Sequence, residues 1–509
     1  MHKKTIFFGA GNIGEWSLQL KPQDLVVYCF IDNDSDKWGT ELHGIEINSP
    51  QLLEELSEDI EIIITVANKL QYEIVSQIEK YDFVYGRDIF TYDEKLLYGV
   101  INILPYDDSI NSNSDNEKVI PRHLKEYITT HKVIPLSYAI EWTPLMYKDC
   151  CLFMTEFLTE LAKSSYGLDN LMIMNITFYK GKFMYLDIDG LCSYGMNGLT
   201  TQRFIDMFVN PLILILKQPI KWYISLKNPM VLIKYKDIVG YLSEEENNYY
   251  LQIQQACYEA VKSSNFVECY KLWMDYMVSM IKKHNVFTNN THAYLDYQDN
   301  LYKDLDESII SSQKQLIIFT WIDKIKPNTV IDLAGNAGYY CIANAKKLDY
   351  AIVADISITA IEKAYIYVVQ KKIRNVLPVC FNIMHQLIVD NTNPFIPNLA
   401  YLSFKSIHVR FKCDLVLLLA VLHHLTLGQG FTFVDVLDKI SPYINKYLII
   451  EYMDLNDFAY AKNIKNFSKD KLLLYTKESF LSALKRTFII IDTASSNIET
   501  RTLYLCEKL

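Results

Sequence analysis

The sequence predicts an α/β protein of three blocks: an open sheet at each end and an α+β region between them. Three observations carry this. A Gly9-Ala10-Gly11-Asn12-Ile13-Gly14 turn joins a short buried-strand pattern to a helical one. From Thr329 to the C-terminus, strand and helix patterns alternate, as in a doubly wound sheet. Between these regions, long amphipathic helical patterns surround a single hairpin pattern.

The bulk numbers agree. A chain of 509 residues, half of them apolar, exceeds one hydrophobic core, since single cores stop growing at roughly 250–300 residues. The expected units are 1–105, 119–295 and 305–509. A polar stretch from Asp107 to Lys118 reads as a linker, and Asn289-Asn290-Thr291 as a weaker break. No repeat of fixed period is present. A net charge of -10 gives no support for a nucleic-acid partner. The strongest apolar run, Leu415 to Leu422, is far short of a membrane span, and Met1-His2-Lys3-Lys4 leads into a strand without a secretory pattern. Ten cysteines include no CxxC pair, and Cys150 and Cys151 are adjacent, so reduced thiols and a cytoplasmic setting are expected.

In the N-terminal block, Thr5-Ile6-Phe7-Phe8 is the buried strand and Glu15 to Leu20 continues in helical register. Gly9, Gly11 and Gly14 suit a tight turn and a close phosphate approach, and the helix N-terminus offers unpaired N–H groups to an anion. A second strand, Leu25 to Ile31, ends at Asp32, placed to accept from ribose hydroxyls. The block is Rossmann-like. The competing reading is a module that packs or oligomerises and binds nothing. The string Phe30-Ile31-Asp32-Asn33-Asp34, with Lys37-Trp38-Gly39, Gly44 and Ser49-Pro50, resembles the small nucleotide-binding-like domain found beside sugar acyltransferases and in sugar C-methyltransferases. That resemblance implies a nucleotide or nucleotide-sugar ligand.

In the middle block, Leu168-Asp169-Asn170-Leu171-Met172-Ile173-Met174-Asn175 precedes a hairpin, Thr177 to Tyr185, that turns at Lys180-Gly181-Lys182; Asp187 follows. The layout resembles phosphotransferases of the aminoglycoside-kinase type. In those, an Asp five residues before the Asn is the base, and the Asn and a later Asp hold magnesium. Here Asn170 holds the base position, and an amide cannot take the proton, although Asp169 is adjacent. A degenerate kinase-like scaffold is therefore expected. Pro135 and Pro144 bound a segment expected to be extended, and a helix from Leu145 to Lys163 buries its apolar stripe.

In the C-terminal block, Thr329-Val330-Ile331 ends at Asp332, and the turn Ala334-Gly335-Asn336-Ala337-Gly338 leads into a helix over Tyr339 to Lys347. A strand from Tyr350 to Ala354 ends at Asp355, with a helix over Thr359 to Gln370. Asn375 to Phe381 ends at Asn382. Cys413 to Leu419 runs into Ala420-Val421-Leu422-His423-His424-Leu425, and Tyr447 to Glu451 is the fifth strand. Ligands of such sheets bind at the C-terminal strand edges.

This pattern resembles class I S-adenosylmethionine (SAM)-dependent methyltransferases. Residues from about 119 onward resemble those related to the rhizobial nodulation proteins. The matching strings are Tyr138, Glu141-Trp142, Asn175, Leu186-Asp187-Ile188, Gln202, Asn393-Pro394, Asp414-Leu415-Val416-Leu417, His423-His424-Leu425, and Leu448-Ile449-Ile450-Glu451-Tyr452 with Asp457. The resemblance implies SAM as cofactor and methyl transfer to a carbohydrate or glycan-like acceptor. The loop Asp332, Ala334, Gly335, Asn336 and Gly338 would then approach the amino-acid part of SAM. Asp355 would take the ribose hydroxyls, and Asn382 (or Asp390 after an insertion) would lie near the adenine amino group. Ala420 to His424 would line the floor beneath the sulfonium. The common loop is D-L-G-C-G-T-G, and the related family's is D-L-G-C-N-T-G. Ala334 and Gly335 depart from both, while Asn336 is typical of the second. Ala334 is small enough to be tolerated if φ there is negative; Asn336 adopts left-handed backbone better than most residues.

His423 and His424 are the candidate general bases, since a hydroxyl acceptor gains from a base and histidine has a suitable pKa. Packing in the helix is the competing role for them. Glu451 is a second candidate for substrate contact. No metal site is expected, and a homo-oligomer is among the arrangements the reading allows. Phosphotransfer by the middle block and a non-catalytic scaffold are the alternative functions.

Overall fold

The computed structural model describes residues 4–21, 25–56, 60–66, 68–83, 88–92, 121–129, 133–169, 171–186, 188, 190–193, 195–218, 232–284, 302, 305, 310–384, 407–457, 469–496 and 498–509. The expected linker and the weaker break lie outside these residues.

The first sheet contains β1 (Lys4–Phe8), β2 (Val27–Ile31), β3 (Glu41–Leu42), β4 (Ile45–Asn48), β5 (Ile60–Ile64) and β6 (Ile89–Thr91), in the order β3-β4-β2-β1-β5-β6. Its pairings are parallel except β3 with β4. Both faces are covered. Ile6, Phe8, Ile31, Ile62 and Ile64 enter one core; Phe7, Phe30 and Ile63 enter the other. This period of two explains why parallel strands read as continuous apolar runs.

The middle region has β7 (Gly167–Leu168), β8 (Ile176–Tyr179), β9 (Lys182–Tyr185) and β10 (Leu191–Cys192), pairing β7 with β10 and β8 with β9. The β8–β9 turn has Lys180 at φ 51 and Gly181 at φ 78, the two left-handed positions of a type I′ hairpin. The helices Pro144–Lys163, Glu244–Lys262 and Phe266–Lys283 belong to the same core. The Pro144–Lys163 helix starts where Thr143 accepts from Met146 N, with Pro144 in the first turn, where its missing N–H costs nothing.

Three expectations need correction. The segment between Pro135 and Pro144 is not extended throughout. Ala139–Glu141 forms a 3-10 turn, because the Glu141 carboxylate folds back to accept from Tyr138 N at 3.0 Å. Nor are all cysteines free. Cys257 and Cys269 are bonded, because the helices carrying them turn back on each other at Ser263-Ser264-Asn265. Third, the helical run Gly198–Lys217 is long and apolar enough to cross a membrane by length and composition. It packs inside the middle core, with 83% of its most apolar window buried, which accounts for its being apolar on every side.

The second sheet contains β11 (Thr329–Leu333), β12 (Tyr350–Asp355), β13 (Val376–Cys380), β14 (Cys413–Leu418), β15 (Ile444–Met453), β16 (Phe488–Ser495) and β17 (Arg501–Lys508). Its order is β13-β12-β11-β14-β15-β17-β16; β11 to β15 run parallel, and β17 is antiparallel to both its neighbours. Val330, Val353, Leu415, Leu417 and Ile449 face the helices Gln313–Ile325, Tyr339–Asn344 and Ile358–Gln370. Ile331, Leu333, Val416, Leu418 and Ile450 face the other way, into a core shared with the whole middle region.

Polar bonds fix that junction. Arg410 and Glu141 are both fully buried and meet at 2.5 and 2.9 Å in a bidentate pair. Arg410 also donates to Leu136 O at 2.7 Å, and its guanidinium lies 4.6 Å from the Tyr138 and Phe411 ring centres. Glu362 Oε1 accepts from Leu145 N at 3.1 Å, capping the Pro144–Lys163 helix from the C-terminal region. Tyr365 donates to Asp149 at 2.7 Å.

Breaking a buried pair on one side strands a charge. Arg410→Met is therefore expected to destabilise the chain by about 3–5 kcal/mol, and the double variant Arg410→Met/Glu141→Leu by distinctly less. Denaturant unfolding of the two variants beside the parent checks this.

Candidate functional site

The strand order of the second sheet reverses between β11 and β14. A crevice opens at the C-terminal ends of the strands at such a point. The register shows what borders it: Leu333 pairs with Leu418, and Leu418 with Ile450. The Ala334–Gly338 loop and the Leu419–His424 loop therefore leave the sheet at one height, on either side of the crevice.

The first loop is tightly wound. Ala334, Asn336 and Gly338 have φ of 57, 52 and 79. The left-handed conformation at Ala334 corrects the expectation of negative φ. The next residue is closely packed: a Cβ on Gly335 would lie 2.5 Å from Asp332 Cγ, which is why a glycine stands there. A Cβ on Gly338 would lie 2.4 Å from Val353 Cγ2. Gly335 N donates to Ala354 O at 3.1 Å and Gly338 N to Gly335 O at 2.9 Å.

Two acids support this loop. Asp332 is buried beneath Gly335. Burial pushes its carboxyl up to about 7, Lys314 opposes the rise and Asp355 adds to it. Asp355, at the tip of β12, accepts from Asn336 N at 2.8 Å on Oδ2 and from Ser357 N at 2.8 Å on Oδ1. These bonds orient the carboxylate at the rim of the crevice. Asn382 lies past β13, and its Oδ1 accepts from Met384 N at 3.1 Å. Asp390 lies outside the described residues.

Across the crevice, Ala420 is left-handed at φ 52, and His424 opens a π-helical turn, His424–Gly428. Such turns recur at functional sites. The His423 and His424 rings lie 3.9 Å apart between centres. Burial, then His424 and Arg501, push His423 down to about 3, with Asp457 opposing. Burial also lowers His424, but its residue keeps exposed surface, so it is the better placed of the two to take a proton.

Several contacts near the site carried no sequence signal. Tyr302 donates to Ala337 O at 2.6 Å and stacks on Tyr367 with ring centres 4.5 Å apart. Asp457 is held by Arg501 at 2.8 and 3.0 Å and by Thr500 at 2.6 Å. Lys314 reaches Glu451 at 2.5 Å. These contacts link residues far apart in sequence, so no spacing announces them.

In the N-terminal sheet, Gly9 has φ 119, and a Cβ on Gly14 would lie 2.1 Å from Gly9 O. The helix Asn12–Leu20 starts at Gly11, where a Cβ would meet nothing and no side chain caps the end. Asp32 accepts from Ala10 N at 2.7 Å, Asp34 N at 2.9 Å and Lys37 Nζ at 3.1 Å. It braces its own loop as Asp355 does. In the middle region, Asn170 and Asp187 lie outside the described residues, while Asp169 is exposed and its N–H donates to Gly190 O at 2.9 Å.

Residues 1–88 match the family model described as C2185-like, N-terminal. No curated protein sequence matches the chain. Among solved structures, the chain is similar to magnesium protoporphyrin IX methyltransferase (ChlM) from Synechocystis PCC 6803 with bound SAH. Identity is 13%, coverage 42% of this chain and 96% of that one, and TM-score 0.29. It is similar to the N-methyltransferase NodS from Bradyrhizobium japonicum WM9 at 12% identity, over 37% of this chain and 93% of that one, with TM-score 0.25. An S-adenosylmethionine-dependent methyltransferase from Clostridium acetobutylicum ATCC 824 is similar at 12% identity, over 42% and 98%, with TM-score 0.29. Likenesses this distant assign no chemistry.

Gly338→Ala is expected to destabilise the chain by about 2–4 kcal/mol, from left-handed strain plus the clash with Val353. Chemical denaturation measures it.

Proposed function

We propose that the C-terminal sheet is a SAM-dependent methyltransferase acting on a carbohydrate or nucleotide-sugar hydroxyl in surface-glycan synthesis. The observation that carries the reading is the switch-point crevice. A left-handed loop braced by Asp355 lies on one side of it and the His423–His424 turn on the other. The residues fit the cofactor. Among the described residues, Asn336 Oδ1 is buried without a hydrogen-bond partner, and a ligand N–H or O–H would satisfy it. Ala334 to Gly338 would hold the amino-acid part, Asp355 the ribose and Asn382 the adenine.

SAM, when bound, supplies an electrophilic methyl group. The chain's part is to align an acceptor hydroxyl with that methyl and to remove the proton. Proximity and alignment supply much of the rate. His424 is the residue to take the proton. Its lowered pKa keeps it neutral, and so able to accept, to a lower pH than an ordinary histidine. In the N-terminal sheet, the uncapped helix end at Gly11 supports a nucleotide or nucleotide-sugar ligand. The phosphotransferase alternative rests in part on Asn170 and Asp187, which lie outside the described residues.

Calorimetry with the full chain tests the reading. The parent is expected to bind S-adenosylhomocysteine (SAH), and Asp355→Ala to weaken that binding about tenfold or more. Binding of neither SAM nor SAH at millimolar concentration would sink the methyltransferase reading. Once an acceptor is in hand, His424→Ala is expected to lower kcat by about 100-fold or more. The acid limb of the parent's pH–rate profile is expected below pH 6.5, the ordinary histidine value. A limb above 6.5 would remove His424 as the base.

A further inference from the structure

Glu451 is fully buried at the end of the parallel part of β15. Its Oε2 receives the Lys314 ammonium at 2.5 Å. Its Oε1 is buried and, among the described residues, has no hydrogen-bond partner. A carboxylate oxygen left this way is costly, and apolar neighbours cannot relieve it.

Its position ties it to the crevice. Ile450 is level with Leu418 and, through it, with Leu333. Glu451 is therefore level with the first residue of each switch-point loop. It shares a face with Asp332: each lies two residues beyond a member of the same core cluster, Ile449 and Val330. Lys314, in the first turn of the Gln313–Ile325 helix, bears on both carboxyls. The shortfall is an N–H donor at Glu451 Oε1, and a carboxylate oxygen bonds most strongly to a charged one.

We propose that Glu451 Oε1 accepts a hydrogen bond from a cationic amine carried by a ligand, with Lys314 as the positioning residue that holds the carboxylate. The inference rests on the methyltransferase reading. Two ligands carry that chemistry there: the α-ammonium of the cofactor and the amino group of an amino-sugar acceptor.

The test uses the full chain and calorimetry. The probes are SAH; 5′-methylthioadenosine, which lacks the amino-acid part; and glucosamine beside glucose on SAH-saturated protein. Glu451→Gln is expected to lower SAH affinity about tenfold or more and to leave methylthioadenosine within about twofold. Loss of glucosamine binding alone, with SAH and glucose unchanged, supports the same contact with the acceptor as its source. Lys314→Met/Glu451→Gln removes both members of the ion pair and must show the same selective loss. If the parent binds SAH and these variants change neither amine-bearing probe relative to its control, the inference is overturned while the methyltransferase reading stands. If the parent binds neither SAH nor methylthioadenosine, both fall together.

Discussion

The Arg410–Glu141 pair is the constraint on which the larger part of the structure depends. Two fully buried charges cannot be left apart, so the 133–142 segment and the short helix before β14 must close on each other. Once closed, the Leu136 carbonyl takes a further guanidinium N–H, and the Tyr138 and Phe411 rings lie close to its carbon. The Pro144–Lys163 helix then begins where Glu362 can cap it. The inner face of the second sheet and the helices of the middle region fill one core. The strand carrying the histidine turn is thereby anchored at its N-terminal end by the middle region.

The two glycine-bearing turns share a device. An acid at the end of the second strand accepts from an amide of the turn after the first strand and from its own i+2 amide. Asp32 does so with Ala10 and Asp34, Asp355 with Asn336 and Ser357. The bond holds the turn in shape before any ligand arrives. Lys37 adds a cation at Asp32. The acid is thus part of the turn's architecture as well as a contact for a ligand.

The sequence made much of this legible where the physics is local. Strand runs, the Lys180-Gly181 turn and the strand-tip acids follow from period-two patterning and turn chemistry. The left-handed Ala334 was not legible, because an alanine by itself gives no signal for positive φ. The 3-10 turn at Ala139–Glu141 was hidden for a like reason. It depends on a carboxylate that folds back on its own backbone while held by an arginine 269 residues away.

What the sequence by itself determined is the main strands that flank the two glycine-bearing turns, their order and the residues at their tips, since each is set by neighbours a few positions away. Only the tertiary structure decided which sheet face the middle region covers. Only it showed that Lys314 pairs with the buried Glu451 and that Glu451 keeps an oxygen without a partner among the described residues. Those facts come from burial and from charges distant in sequence, and a buried charge acquires its meaning only from what the fold places beside it.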